Sequence, residues 1–180
     1  LVPELLALSH PIGFDTIYYA AVMKDGVVWP HWSTFFTQSW LFPAISVLLY
    51  KVFGGDPFIL LKVLAPLLYG LNVAGIFWFA RKMLNWSIHA AVLAGLFFAF
   101  QLASLRISWD LLRNTFGLGL LLFTLPFIKN LGSRRGFACF VLFSLLTVFA
   151  HEYAAVTLAV AVLGLVFWRF VRSKRFSVEC

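Results

Sequence analysis

From Gly136 to Phe170 the chain is apolar except for His151-Glu152 and, near its end, Arg169. As one helix this run would be about 50 Å long, against a hydrocarbon core of about 30 Å. It must therefore turn back, and His151-Glu152 is the place for a polar tip. The same pattern recurs upstream. Apolar stretches at about 58–80, 87–105 and 108–128 are separated by Arg81-Lys82 and by Lys129, Arg134 and Arg135. A last basic cluster, Arg169, Arg172, Lys174 and Arg175, follows the final run. The stretches are too long for the ~10-residue alternating strands of a membrane barrel. The expected fold class is all-α: a polytopic integral membrane protein with about five transmembrane helices plus two short juxtamembrane helices in an external loop.

Composition agrees. The 180 residues are 62% hydrophobic and 12% charged, about half the charge of an ordinary soluble domain, and mean hydropathy is +0.94. A net charge of +7 would suit nucleic acid in a soluble protein. In a chain of this hydropathy basic residues instead mark cytoplasmic loops, so nucleic acid is not an expected partner and membrane lipids are. Cys139 lies in an apolar run and Cys180 is the last residue, which makes neither a disulfide framework nor a Cys/His metal site. No cofactor is expected; a divalent metal is possible but not indicated. The chain opens Leu-Val-Pro without an initiator Met, and is read as part of a longer protein whose remainder is its first partner.

Placing the basic loops in the cytoplasm predicts spans over about 58–80, 87–105, 108–128, 136–150 and 153–170. Residues 1–57, with helices over about 15–24 and 37–53, form an external loop if the second of these helices does not span. The second of these, apolar but interrupted by Ser39, Pro43, Ser46 and Lys51, can span or lie flat; flat, it leaves Glu4, Asp15, Asp25, Asp56, Asp110 and Glu152 on the outer side.

Ionisable groups in or near spans are costly, about 2.5–3.5 kcal/mol at mid-bilayer, and mark candidate sites. Arg106, Asp110 and Arg113 fall at i, i+4 and i+7, one face if the stretch is helical. They can wall an outward cavity with an Arg on a phosphate, or form an interfacial ion pair that ends the span. His151 and Glu152 can contact a phosphate or acceptor, or be a polar hairpin tip. Asp15 can be the N-cap of a short helix, or a general base flanked by Phe14, Tyr18 and Tyr19.

Gly13-Phe14-Asp15-Thr16-Ile17-Tyr18-Tyr19, then Trp29-Pro30, Phe42-Pro43, Phe53-Gly54-Gly55-Asp56-Pro57 and Phe79-Ala80-Arg81-Lys82, resemble in order and spacing the polytopic C-type (GT-C) glycosyltransferases that use polyprenyl-phosphate sugars, among them mannosyl- and arabinosyltransferases. The resemblance implies sugar transfer, with inversion, from a polyprenyl-phosphate-linked donor to an acceptor on the extracytoplasmic face, Asp15 as base. Arg106, Asp110, Arg113, His151, Glu152, Tyr18 and Tyr19 would contact donor phosphate or substrate. The segment matching 37–53 would lie flat. Many relatives carry two adjacent acids where this chain has Asp15-Thr16. The implied location is a membrane, the plasma membrane of a prokaryote, with the site facing outside. Alternatives from other classes are half of a transporter or lipid flippase, with Asp110, Arg113 and Glu152 lining a pathway, and a non-catalytic structural subunit, with Asp15 only a cap.

Overall fold

The computed structural model describes residues 14–26, 39–101 and 111–178, and of these the side chains of 15–26, 39–101 and 111–171. Every element described is helical, with no strand among the described residues. The order is α1 (Phe14–Asp25), α2 (Leu41–Phe53), α3 (Pro57–Lys82), α4 (Ile88–Phe100), α5 (Leu112–Thr124), a 3-10 continuation (Leu125–Asn130), α6 (Arg134–Ala150) and α7 (Glu152–Val178).

The breaks have local causes. Gly54 and Gly55 take φ of 66° and 84°, a region that side chains resist. Asp56 then caps α3 by accepting from the Phe58 N–H at 2.9 Å, with Pro57 at the first helical position. Beyond Lys82, Asn85 adopts a left-handed φ of 56°, which Asn tolerates better than most, and Ser87 caps α4. Ser133 caps α6 through the Gly136 N–H. His151, with φ −162° and ψ 131°, is extended between α6 and α7.

Contacts between named side chains fix the helix directions. Asn72 of α3 donates to the Thr115 carbonyl of α5, and further along Trp78 meets Phe123, so α3 and α5 run parallel. Tyr69 of α3 donates to the Phe98 carbonyl of α4, while Val73 lies against Gly95, which makes α4 antiparallel. Thr124 faces Thr147 and Phe127 stacks on Phe143, so α6 returns alongside α5. Ala154 and Leu158 of α7 bury against Leu121 of α5, with Leu125 and Val162 further along, so α7 runs with α5. One end of the bundle therefore gathers Arg81, Lys82, Lys129, Arg134, Arg135 and Arg169. The opposite end carries all four described acids, Asp15, Asp25, Asp56 and Glu152.

α2 starts and finishes at that acidic end. Trp40, just before it, packs on Phe149 at the close of α6, with ring centroids 5.1 Å apart. Its last residues lead through Gly54-Gly55 into the start of α3. A helix of 13 residues that leaves and rejoins the same end does not traverse the bundle. α1 packs with it: Tyr19, Ala20 and Met23 share a core with Phe42, Leu61, Ala65, Leu68 and Leu112.

Two helices, α3 and the Glu152–Val171 part of α7, are long and apolar enough to cross a membrane. The expectation of about five spans is met to that extent. α4 and α5 have 13 residues each and α6 has 17. The expected helix over 108–128 needs correction as well. α5 begins at Leu112, because Leu111 has φ −103° and ψ 55°, outside the helical region; the turn carries Leu112 into the core beside Tyr19, Met23 and Leu61. The helix therefore does not extend back through Leu111. Arg106 and Asp110 themselves lie outside the described residues.

Candidate functional site

Among the helix ends at the acidic end, the starts of α1, α5 and α7 and the finish of α6 carry the candidate residues. Of the residues singled out from sequence, Asp15, Tyr18 and Tyr19 come from α1, Arg113 from α5, and His151 and Glu152 from the α6–α7 break.

Asp15 sits in the first turn of α1, where the unpaired amides favour a carboxylate. One turn on, Tyr19 is 4% exposed, held edge-on by Phe42 at 5.1 Å and by Tyr18 at 5.5 Å. Burial pushes the Tyr19 hydroxyl up to about 12; the Arg113 guanidinium opposes the rise and the Asp15 carboxylate adds to it. Tyr19 thus stays protonated at neutral pH, under the opposed influences of an acid on its own helix and a cation on α5. Tyr18 is exposed.

Arg113 joins the two halves of the site. Its Nη2 lies 3.6 Å from Glu152 Oε1, with both side chains part-exposed, while its Nε is buried without a hydrogen-bond partner. Glu152 Oε2 accepts from Ser39 Oγ, and the Glu152 backbone N–H donates to the same Oγ at 3.2 Å. Ser39, one of the residues that weakened the apolar stretch before α2, was not a candidate from sequence. Its partner lies 113 positions away, and no local signal announces such a pair.

His151 is 3% exposed. Its Nδ1 accepts from the Tyr153 N–H at 3.2 Å, so the neutral ring carries its proton on Nε2. Burial holds its pKa below the ordinary 6.5; the Glu152 carboxylate opposes this and the Arg113 guanidinium reinforces it. The backbone contact suits His151 as the polar tip between two helices. The ring also lines a groove between α5 and α7, about 230 Å³ in volume, with Leu111, Asn114, Leu118 and Tyr153 among its other walls. Asp15 is not among the groove's lining residues; what it shares with Arg113 is an electrostatic effect on the Tyr19 hydroxyl.

The arrangement offers a carboxylate, a buried phenol, an incompletely engaged guanidinium and, lining an apolar groove, a neutral imidazole. It can hold an anion and accept a proton nearby. Among the described residues no three of His, Cys, Asp and Glu converge as a metal site would require. Comparison with known proteins brought no match: no family model, no curated protein and no solved structure is similar to this chain.

Proposed function

We propose that this chain is the membrane module of a glycosyltransferase that uses a polyprenyl-phosphate-linked sugar and works on the extracytoplasmic side. The observation that carries the reading is that the Asp15 carboxylate and the Arg113 guanidinium both act on the Tyr19 hydroxyl, at the bundle end opposite the six clustered cations.

Asp15 takes the proton of the acceptor O–H as the acceptor oxygen forms its bond to the anomeric carbon. The bond from that carbon to the phosphate oxygen breaks on the far side, and the polyprenyl phosphate leaves with the electron pair, giving inversion. Arg113 neutralises the leaving phosphate without a metal.

The membrane reading rests on what the helices present outward. Ile59, Val63 and Leu67 on α3, Leu93, Phe97 and Phe100 on α4, and Val156, Val160, Leu163 and Phe167 on α7 are all exposed. At these spacings each set forms one stripe, and stripes of this size facing water are unusual; lipid is the solvent that suits them. In this reading five segments cross. α5 with its 3-10 continuation reaches roughly 31 Å. α6, at about 25 Å, ends in a protein-lined break. With the six clustered cations in the cytoplasm, the acidic end faces out.

Transport is the reading this replaces. Transporters place charged groups and broken helices near the midplane. The polar residues buried within this bundle, Asn72, Thr115, Thr124 and Thr147, are uncharged. The test is sugar transfer from a polyprenyl-phosphate donor by the full-length protein. Asp15→Asn and Asp15→Ala are expected to lower the rate by about 10²–10⁴-fold; undiminished transfer in both removes Asp15 as base.

A further inference from the structure

Ser39 is 6% exposed and places its hydroxyl on Glu152. Its O–H donates to Oε2, and the Glu152 backbone N–H donates back to its Oγ. The carboxylate is thereby held from two sides. The oxygen left over, Oε1, reaches Arg113 Nη2 at 3.6 Å, against about 2.7–2.9 Å for a closed charge-assisted hydrogen bond. The ion pair is aimed but not shut, and Arg113 Nε, buried, has no partner. The Trp40 ring against Phe149 ties the Ser39 backbone to the α6–α7 break, so Ser39 cannot simply follow Glu152 towards the arginine.

We infer that Ser39 is a positioning residue for anion capture: by holding Glu152 back, it leaves Arg113 oriented yet free to bind a phosphoryl group. The inference rests on Arg113 being the phosphate contact of the proposed function, and does not depend on Asp15 being a base. Without the Ser39 hydroxyl, the Glu152 carboxylate closes on the guanidinium and competes with the phosphoryl oxygens. The ligand chemistry is that of a phosphate monoester or free phosphate. The apolar groove walled by Leu111, Leu118 and Tyr153 beside it favours a phosphate on a lipid.

The test is equilibrium binding by the full-length protein in nanodiscs with no sugar donor present, so its outcome is independent of proton transfer at Asp15. The probes are a long-chain polyprenyl monophosphate and inorganic phosphate. Ser39→Ala is expected to weaken binding on the order of tenfold, the effect of about 1.4 kcal/mol of competition. Ser39→Thr, which keeps the hydroxyl, restores it. Glu152→Gln removes the competing charge and does not weaken binding, and adding Ser39→Ala to it has no further effect. A response with both probes supports a phosphoryl site open to either source; a response with the lipid alone supports a headgroup site. Equal loss from Ser39→Ala with and without Glu152→Gln would mean that Ser39 only packs, and overturns the inference. So does a Ser39→Ala protein that binds both probes as the wild type does, or a Ser39→Thr protein that fails to recover.

Discussion

Gly117 of α5 lies so close to His151 that a Cβ on the glycine would stand 2.5 Å from the histidine Cβ. This contact sets the distance between α5 and the α6–α7 break, and with it the reach from Arg113 to Glu152. A His151 Cβ is anchored to backbone and cannot swing aside. Gly117→Ala is therefore expected to destabilise the protein by about 1–3 kcal/mol, the usual cost of overpacking, read as a lower Tm in detergent. Gly164 on α7 has nothing within 4 Å of the same construction. Gly164→Ala is expected to be neutral or to stabilise by up to about 1 kcal/mol through helix propensity. Equal losses at both positions would contradict the close approach at Gly117.

The Thr124 and Thr147 hydroxyls, both fully buried, meet at 3.0 Å, and each is also within reach of its own helix's carbonyl one turn back, Leu120 and Phe143 respectively. Two protons serve this chain of acceptors, so one threonine donates across the interface while the other donates along its helix. Thr124→Val or Thr147→Val removes the bridge and costs about 1 kcal/mol. The double variant is expected to cost less than the sum of the singles, by about 0.6 kcal/mol, a typical interhelical coupling inside a membrane protein. A double-mutant cycle in a mild denaturing detergent measures it, and strict additivity would mean that the bridge carries nothing.

Much of the bundle was legible because helix breaks are written in local chemistry. Gly54-Gly55-Asp56-Pro57, Asn85 to Ser87, and Ser133 each announce a stop or a cap within a few residues. His151-Glu152 could be placed because the apolar run around it is too long for one crossing. The start of α5 was not legible. Leu111-Leu112-Arg113 has no Pro, Gly or cap, and the turn at Leu111 is imposed by the burial of Leu112 against α1 and α3, a tertiary effect. The candidate site divides the same way. Asp15, Arg113, His151 and Glu152 stand out as polar residues in apolar surroundings, whereas Ser39 becomes notable only when the fold brings it to Glu152. Tyr19 is a neighbour of Asp15 in sequence, whereas its proximity to Arg113 follows from how α1 lies over α5.

His151 lies between two helices rather than within either, and its pKa is held below 6.5 chiefly by burial. The neutral ring, with Nδ1 accepting from the Tyr153 N–H, is the form that the fold stabilises. Below 6.5 the unfolded chain binds a proton that the folded one resists, so the unfolded state gains. The contribution of His151 is complete above 6.5 and is lost as pH falls through the lower folded value. Tm is therefore expected to drop on acidification below 6.5 more steeply in the wild type than in His151→Gln, whose side chain does not titrate. Parallel curves for the two proteins would show that His151 is not held neutral.

The route of α2 and the separation of charge along the bundle set the topology to be tested. If the acidic end faces outside, Lys51, at the exposed end of α2, and Asp25, at the end of α1, share one side, and Arg135 lies on the other. In full-length protein with Cys139 and Cys180 replaced by Ser, single cysteines at Asp25, Lys51 and Arg135 report this. An impermeant maleimide added to intact cells is expected to label Asp25→Cys and Lys51→Cys, and to reach Arg135→Cys only after the membrane is opened. Labelling of Lys51→Cys and Arg135→Cys from the same side would contradict a bundle whose two ends lie on opposite faces of the bilayer. Labelling of Arg135→Cys alone from outside would invert it, and would put Asp15, Arg113 and Glu152 in the cytoplasmic leaflet, away from an extracytoplasmic sugar donor.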